Sequence, residues 1–274
     1  MIQHISDTTT LANGVKMPWL GFGVYKVEEG EEVERSVKTA IETGYRSIDT
    51  AALYGNEVGV GKAIEESGIS RDDLFITTKV WNDRQGYDET LKAFEESRKK
   101  LDLDTVDLYL VHWPVSGKYK DTWKALEKLY KDGSVRAIGV CNFNIHHLED
   151  LMADCEVNPM VNQVEFHPRL TQKELLEFCK DHNIQLEAWG PLMRARILDH
   201  PTLVELAEKH AKTPAQIVLR WELELGVVTI PKSVHEKRIK ENADIFDFEL
   251  SSDDIAKIDE LNKNERTGPD PEDF

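Results

Sequence analysis

The sequence has little cysteine, no N-glycosylation acceptor and no long apolar run. Cys141, Cys155 and Cys179 are its only cysteines among 274 residues, too few for a disulfide framework. No apolar stretch approaches the roughly 20 residues that span a membrane. The opening MIQHISDTTT lacks the regions of a signal peptide. These absences predict a cytoplasmic protein that has no membrane partner.

Positive charge is also scarce. The chain has 34 lysine and arginine residues against 51 aspartate and glutamate residues, a formal net charge of -17. This balance argues against nucleic acid as a partner, because such partners need a basic surface. Any anionic ligand therefore requires a local basic site. The length and the 40% hydrophobic content predict a single domain over 1–274, since no Pro/Gly/Ser-rich linker divides the chain.

Strand and helix patterns alternate along the whole chain. Asn13-Gly14 predicts an N-terminal β-hairpin. Predicted strands follow at 19–24, 47–50, 75–80, 107–112, 137–142, 161–166, 185–190 and 227–231. Eight strand–helix units of this length predict a (β/α)8 TIM barrel with extra helices. A doubly wound sheet that binds a dinucleotide normally carries G-x-G-x-x-G, but the nearest match, GVGKAI at 59–64, ends in isoleucine and predicts a small-residue packing face.

Polar residues stand at the predicted carboxyl ends of neighbouring strands, where barrel chemistry gathers. These are Asp49 with Tyr54 just beyond, Lys79, His112, Asn142, Gln163 and Glu165. A buried strand-end carboxylate needs a partner, and Lys79 is predicted to pair with Asp49. The lysine is expected to lower the pKa of Tyr54, and His112 to orient a carbonyl oxygen. Tyr54 would then give a proton as a bound cofactor delivers hydride, which no side chain supplies.

A basic cluster follows the last predicted strand, in IPKSVHEKRIKEN at 230–242. Lys232 and Ser233 are predicted to open a helix, an arrangement that receives a phosphate. Arg238 suits both a phosphate and a flat ring, and Glu241 with Asn242 suits an amino-purine edge. Trp189 offers a stacking face, while Asn142 and Gln163 offer amides for a carboxamide. A solvated helix face is the alternative for the basic cluster.

The chain resembles the aldo-keto reductase family over essentially its whole length. The matching segments are GFGVY, GYRSIDTAALYGNE, TKVW, LDLYLVHWP, GVCNFN, NQVEFHP, AWGPL and IPKSVHEKRIKEN. Within the family it is most similar to bacterial glyoxal/methylglyoxal and 2,5-diketo-D-gluconate reductases. The resemblance implies NADP(H), no metal and, as is common for such barrels, a monomer. It also implies the following site residues: a catalytic tetrad of Asp49, Tyr54, Lys79 and His112; cofactor contacts at Asn142, Gln163, Trp189, Gly190, Leu192, Lys232, Ser233, Arg238, Glu241 and Asn242; and substrate contacts at Tyr25, Trp81, His112 and Trp113.

Three features depart from the family pattern. Cys141 replaces a common serine beside the carboxamide-binding asparagine. Arg194, Ala195 and Arg196 stand where relatives often carry glycine and glutamine; the arginines would grip the pyrophosphate or an anionic substrate, or pair with surface acids. The ending GPDPEDF is shorter than the loop that covers the pocket in some relatives, which predicts an open site for small substrates. His146 and His147, with Glu149 and Asp150, predict a solvated helix face.

Two functional classes are compatible with these features. One is NADPH-dependent reduction of small aldehydes, α-dicarbonyls or keto-sugars to alcohols. The other is an NADP(H)-binding sensor or interaction module with little turnover. The complete tetrad favours the enzyme.

Overall fold

The N-terminal segment forms the predicted hairpin. A computed structural model describes residues 2–274, and its first strands, β1 (Thr8–Thr10) and β2 (Lys16–Pro18), pair antiparallel. Gly14 lies in the turn with φ +89°, a conformation that glycine adopts at little cost. The hairpin prediction is confirmed.

Eight parallel strands form a nearly closed barrel in chain order. The strands are β3 (Gly21–Gly23), β4 (Ser47–Asp49), β5 (Phe75–Val80), β6 (Val106–Val111), β7 (Val135–Cys141), β8 (Val161–Glu165), β9 (Gln185–Trp189) and β10 (Val228–Thr229). Between β10 and β3 the barrel closes through one bridge, Leu20 to Thr229. β10 is shorter than predicted because Pro231 has no N–H to continue a ladder.

Helices cover the outside of this barrel. They are α1 (Glu31–Thr43), α2 (Glu57–Glu66), α3 (Tyr87–Leu101), α4 (Tyr119–Lys131), α5 (Ile145–Met152), α6 (Lys173–Asp181), α7 (Pro201–His210), α8 (Pro214–Glu224), α9 (Glu236–Ala243) and α10 (Ser252–Asp259). Helix α1 ends at Gly44, which is left-handed with φ +118°. No helix in residues 2–274 has the length and apolarity to cross a membrane.

The glycines of the GVGKAI segment serve helix packing. A Cβ on Gly59 would lie 2.4 Å from the side chain of Val33 in α1, and one on Gly61 would lie 2.4 Å from the Leu101 carbonyl oxygen at the end of α3. The small residues therefore let α2 approach its neighbouring helices. The predicted small-residue packing face is confirmed. The residues nearest to Gly59 and Gly61 belong to helices α1 and α3 and not to the barrel strands.

Opposite ends of the barrel use their polar residues differently. At the amino-terminal end, the buried Asp107 accepts hydrogen bonds from the Ile76 amide and from the guanidinium groups of Arg71 and Arg136. These contacts tie adjacent strands together. At the carboxyl-terminal end, the strands bring together the residues of the candidate site.

Candidate active site

The predicted ion pair between β4 and β5 is confirmed. Lys79 Nζ lies 2.6 Å from Asp49 Oδ1 and also donates to the Thr50 carbonyl oxygen at 2.8 Å. Both side chains are almost fully buried. Burial alone would lower the pKa of Lys79, but the Asp49 carboxylate outweighs it and the pKa is raised. Lys79 is therefore a charged ammonium held in a fixed position.

Tyr54 follows β4 in a short 3₁₀ helix that directs its ring toward Lys79. The Lys79 ammonium donates to Tyr54 Oη at 3.4 Å and lies 5.0 Å from the ring centroid. Lys79 lowers the pKa of Tyr54, as expected, but the expectation of a net lowering is wrong. Burial raises the pKa, and Lys79 opposes that shift without overcoming it. Tyr54 is thus fully protonated at neutral pH and has a cation beside the oxygen that would carry the phenolate charge.

His112 follows β6 and faces two aromatic rings. Its ring centroid is 5.9 Å from that of Tyr54 and 5.0 Å from that of Trp81, both nearly perpendicular. Burial, followed by repulsion from Lys79, holds the pKa of His112 well below its usual value. The imidazole is therefore neutral, with one N–H to donate. Its Nδ1 is buried and has no hydrogen-bond partner among the described residues.

Asn142 takes a left-handed conformation, φ 63°, directly after β7. Its Nδ2 donates to the His112 carbonyl oxygen at 2.9 Å, and its Oδ1 accepts from Trp189 Nε1 at 2.8 Å. These bonds link the ends of β6, β7 and β9. Such sparsely populated backbone conformations cluster at functional sites. The neighbouring Cys141 is a buried thiol whose pKa is raised well above its usual value, mainly by burial.

Gln163 on β8 extends into the barrel and contacts two carboxyl groups. Its Nε2 donates to Asp49 Oδ2 at 2.7 Å and to Glu187 Oε2 at 2.8 Å. Glu187 is fully buried on β9, and the sequence reasoning missed it. The available signal was an ionisable residue in the centre of QLEAW, a strand that otherwise faces apolar surroundings.

The basic residues lie after β10, with one correction to the predicted local structure. Helix α9 begins at Glu236, so Lys232 and Ser233 precede it in a turn in which Ser233 Oγ accepts from the His235 amide at 3.1 Å. The polar serine side chain forms that turn and delays the helix. Among residues 2–274, no carboxylate pairs with Lys232 or with Arg238.

The other residues predicted to contact the cofactor lie on α9 or just after β9. Glu241 and Asn242 lie on α9, where Asn242 is buried and Glu241 Oε1 accepts from Thr213 Oγ1 at 3.0 Å. Gly190 directly follows Trp189 with φ 66°. Leu192 lies two residues further along and is half-buried.

The loop after β9 contains three consecutive left-handed residues, Met193, Arg194 and Ala195, with φ between 49° and 68°. Residues other than glycine rarely adopt this backbone conformation. Arg194 and Arg196 are exposed, and among the described residues neither guanidinium pairs with a carboxylate. The structure therefore gives no support to the alternative that these arginines pair with surface acids.

Residues 266–274 lie across the carboxyl ends of the barrel strands. Glu165 accepts from the Thr267 amide at 2.6 Å and from the Gly268 amide at 3.1 Å. A Cβ on Gly268 would lie 2.4 Å from the Trp189 ring. Phe274 stacks on Trp113 with ring centroids 4.3 Å apart. This short segment reaches Trp113, and the expectation of an open site for small substrates stays a prediction.

Helix α5 anchors the same segment through Glu272. Asn144 Nδ2 donates to Glu272 Oε1, and His146 Nε2 lies 3.5 Å from Glu272 Oε2. His147 Nδ1 accepts from the Asn144 amide at the helix start. Potential metal ligand atoms of His146, His147 and Glu272 lie within 4.8 Å of one another. Glu149 and Asp150 are not part of this group and lie on the exposed face of α5, as predicted.

Two of the predicted substrate residues, Tyr25 and Trp81, contact the rings of Tyr54 and His112. Tyr25 is 47% exposed, and its ring centroid is 5.0 Å from that of Tyr54. Trp81 packs edge-on against His112, and Trp113 lies beneath Phe274. Aromatic rings therefore lie beside Tyr54 and the neutral His112.

The donors at this end of the barrel fit a dinucleotide that carries phosphates. Lys232, Arg238, Arg194 and Arg196 have no carboxylate partner in residues 2–274, although the chain carries a net charge of -17. Unpaired cations in an acidic protein are suited to an anionic ligand. Gln163 Oε1 has no hydrogen-bond partner among the described residues and can accept from a carboxamide.

The fold and the cluster of tyrosine, lysine, aspartate and histidine define the class: a (β/α)8 barrel enzyme whose chemistry lies at the carboxyl ends of the strands. The chain belongs to the aldo/keto reductase family, whose model matches residues 19–263. A relative named glyoxal reductase, from Bacillus subtilis (strain 168), is 65% identical over 100% of this chain and 99% of its own length.

Two further matches extend this similarity. Methylglyoxal reductase DkgA from Escherichia coli (strain K12) is 47% identical over 96% of each chain. A crystal structure of a Gox0644 mutant in complex with NADPH superimposes with a TM-score of 0.93, at 46% identity over 97% of each chain. The family and fold predictions are confirmed.

Proposed function

We propose that this protein is an NADPH-dependent carbonyl reductase that converts small aldehydes, α-dicarbonyls such as methylglyoxal and glyoxal, or keto-sugars to alcohols. The observation that most supports this proposal is the position of the Lys79 ammonium. It pairs with Asp49 at 2.6 Å and donates to Tyr54 Oη at 3.4 Å. This arrangement supports proton transfer from a tyrosine. The names of the relatives support small dicarbonyls as substrates.

Tyr54 is the proposed proton donor. Its raised pKa keeps the hydroxyl protonated before reaction, and the proton moves to the carbonyl oxygen as that oxygen becomes an alkoxide. Lys79 stabilises the resulting phenolate, because a positive charge close to Oη favours the ionised form. Asp49 holds Lys79 charged and in place. The proposed role of Lys79 and Asp49 is therefore to stabilise the Tyr54 phenolate that forms when the proton is transferred.

His112 is the proposed orienting group. As a neutral imidazole it has one N–H, which donates to the substrate carbonyl oxygen and holds it near Tyr54. Tyr25, Trp81 and Trp113 form the proposed apolar walls. These aromatic rings suit a small substrate, and their contacts require no charged group on it.

The cofactor is proposed to be NADP(H). When bound, it supplies hydride, which none of the side chains can provide. Lys232, Ser233 and Arg238 would hold the 2′-phosphate, with Glu241 and Asn242 at the adenine. The nicotinamide end would contact Asn142, Gln163, Trp189, Gly190 and Leu192. The unpaired Arg194 and Arg196 suit the pyrophosphate or an anionic substrate. We further propose one domain over 1–274, a monomer and a cytoplasmic location.

The first test follows NADPH consumption with methylglyoxal and glyoxal, with NADH as the alternative cofactor. Turnover with NADPH that Tyr54→Phe abolishes, with NADPH affinity retained, is the expected result. Tight NADPH binding without reduction of any small carbonyl would contradict the reductase and favour a sensing or interaction module. No observation in residues 2–274 favours that second function at present.

A further inference from the structure

Glu187 is a fully buried carboxyl group outside the tetrad of Asp49, Tyr54, Lys79 and His112. It lies on β9 directly beside Gln163 of β8 in the parallel register. Its Oε2 accepts from Gln163 Nε2 at 2.8 Å, whereas its Oε1 is buried with no partner among the described residues. Burying a carboxyl group that has a hydrogen-bond partner on only one oxygen costs free energy.

Glu187 and Asp49 together determine which atom of Gln163 remains available. A glutamine amide has two N–H donors and one carbonyl acceptor. Both donors are used, one by Asp49 Oδ2 and the other by Glu187 Oε2. Rotating the amide by 180° would place its oxygen against Asp49 Oδ2, a carboxylate that pairs with Lys79 and has no proton to donate, and would also remove the donor from Glu187 Oε2. The observed orientation leaves only Gln163 Oε1 free for a ligand.

Charge in the barrel core is also unevenly balanced. Asp49 and Glu187 are two carboxyl groups, while Lys79 is the cation that acts on both. Burial, followed by the charge of Asp49, raises the pKa of Glu187 to about 8, against the opposing effects of Gln163 and Lys79. Cys141 is the other ionisable group whose pKa depends on the charge of Glu187. Burial raises the pKa of Cys141, so it stays a neutral thiol. Glu187 is therefore protonated at neutral pH and ionises in mild alkali.

We propose that Glu187 is a positioning residue for carbonyl reduction, which fixes the Gln163 amide so that its oxygen faces the nicotinamide carboxamide, and which makes the preference between the two redox forms of the cofactor depend on pH. This inference rests on the proposed function. Gln163 then acts only as an acceptor, so it recognises the N–H₂ side of the carboxamide. That restriction selects one orientation of the nicotinamide ring.

The pH dependence follows from charge. Ionised Glu187 adds a negative charge to a buried network that includes Gln163 and Asp49. The oxidised nicotinamide ring is positively charged and the reduced ring is neutral. A negative charge in a low-dielectric environment therefore favours NADP⁺ over NADPH. The affinity ratio of NADP⁺ to NADPH should rise as the pH passes through about 8.

The experiment uses two variants that separate hydrogen bonding from charge. Glu187→Gln keeps a carbonyl acceptor for Gln163 but cannot ionise, so it imitates the protonated residue. Glu187→Leu has a similar volume but no acceptor. Glu222→Gln is the matched control, because Glu222 is another fully buried glutamate with a pKa raised mainly by burial, on α8 outside the barrel network.

Dissociation constants for NADP⁺ and NADPH are measured by tryptophan fluorescence across mildly acidic to alkaline pH, together with kcat and KM for methylglyoxal. We expect Glu187→Leu to weaken cofactor binding about tenfold, the equivalent of one hydrogen bond to a charged or polar group. Glu187→Gln should match the parent protein at neutral pH, while its NADP⁺ to NADPH ratio stays constant through alkaline pH. Glu222→Gln should follow the parent protein throughout.

Two outcomes would overturn the inference. One is unchanged cofactor affinity in Glu187→Leu. The other is the same pH dependence of the affinity ratio in Glu187→Gln and the parent protein. If Glu187→Leu does not fold, as judged by circular dichroism, the pH comparison of Glu187→Gln alone still decides. Failure of the proposed function looks different, because the parent protein itself would then not reduce carbonyls or bind NADPH.

Discussion

At the scale of single residues, burial shifts the pKa values of His112 and Tyr54 in opposite directions. An ordinary histidine ionises near pH 6.5, but the pKa of His112 is well below that value. Tyr54 stays protonated because its pKa is raised. We therefore expect kcat/KM for methylglyoxal reduction to show no inflection between about pH 5.5 and 7.5. A steady-state pH profile tests this, and a fall below about pH 6.5 would show that His112 becomes protonated.

Recognition of the 2′-phosphate also belongs to single residues. Arg238 has no carboxylate partner among the described residues, whereas Lys240 on the same helix pairs with Glu236 at 2.5 Å. Arg238→Ala should lower kcat/KM for NADPH about 10- to 100-fold, as expected for lost charge-assisted hydrogen bonds, and leave the value for NADH unchanged. Lys240→Ala is the charge-matched control. Equal losses with both cofactors would place Arg238 away from the 2′-phosphate.

Sequence reasoning recovered residues whose position follows from strand ends. Asp49 and Lys79 were paired correctly because neighbouring parallel strands end at the same edge. Glu187 could not be recovered in this way, because it lies in the middle of β9 and not at the strand end. Its function also depends on how two side chains are oriented. The direction of the Tyr54 pKa shift was missed for a related reason. Burial depends on every packed neighbour and outweighs the nearby lysine.

At the scale of elements, helix α10 is held to α7 by one buried carboxylate. Asp254 accepts from Lys209 Nζ at 2.7 Å and from His210 Nε2 at 3.0 Å, and it caps its own helix at the Ser251 amide. Burial alone would raise the pKa of Asp254, but these contacts, Lys209 first, lower it. A lowered folded-state pKa gives stability above the unfolded value, near 3.8, and this stability is lost as the pH falls through the folded value.

Asp254→Asn should therefore destabilise the protein by about 1–3 kcal/mol at neutral pH, because hydrogen bonds to a charged group are lost. The difference from the parent protein should shrink as the solution becomes strongly acidic. Thermal unfolding across pH measures this change. Asp253→Asn, an exposed neighbour in the first turn of α10, is the control and should change little. An equal loss in both variants would show that helix charge, rather than the contact with α7, is responsible.

The segment at 266–274 is the other element with a testable contact. Phe274 stacks on Trp113 at 4.3 Å, and an aromatic pair contributes about 0.5–1.5 kcal/mol beyond its buried area. Phe274→Ala should raise KM for methylglyoxal about 2- to 10-fold and improve turnover of bulkier aromatic aldehydes, because Trp113 loses its support. Val204→Ala, an exposed apolar change on α7, is the control. An unchanged ranking of the aldehydes would exclude a role for this stacking in substrate choice.

Elements differ in how well their sequence specifies them. Strand β5 carries a complete local signal, and the range predicted for it, 75–80, is the one observed. Strand β10 was predicted too long, because an apolar run does not reveal that Pro231 leaves the ladder. The path of 266–274 was also missed. Its contacts are with Glu165, Trp189 and Trp113, all far away in sequence.

At the scale of the whole molecule, eight repeats of strand and helix were enough to predict the barrel, since parallel strands with short crossovers have few other ways to bury both faces. The repeat pattern does not show how strongly each pair of strands is joined. Strands β5 and β6 are paired over Thr77–Val80, and β6 and β7 over Val106–Val111. Strand β10 pairs with β9 through two residues. The barrel is therefore uneven around its circumference.

This unevenness predicts where the molecule opens first. Between β10 and β3 the bridge at Leu20 and Thr229 is supported by hydrogen bonds from the Thr229 amide to the Trp19 carbonyl oxygen and from the Gly23 amide to the Pro231 carbonyl oxygen, each 3.1 Å long. Regions with few paired backbone groups open at a lower free energy than the rest of a fold. Amides in 19–24 and 227–231 should therefore exchange with deuterium faster than those in 75–80 and 106–111, a difference that mass spectrometry of peptides resolves.

Cofactor binding should stabilise this junction between β10 and β3, the seam of the barrel. Lys232 and Ser233, the proposed phosphate contacts, lie between the end of β10 and the start of α9. A ligand that binds only the closed barrel stabilises it by mass action. Saturating NADP⁺ should therefore slow exchange in 19–24 and 227–233 more than in the peptides of β5 and β6. Helix α10 is the internal control and should exchange at the same rate with and without NADP⁺. Uniform protection of all peptides would mean that the barrel opens only by global unfolding and that the seam has no separate stability.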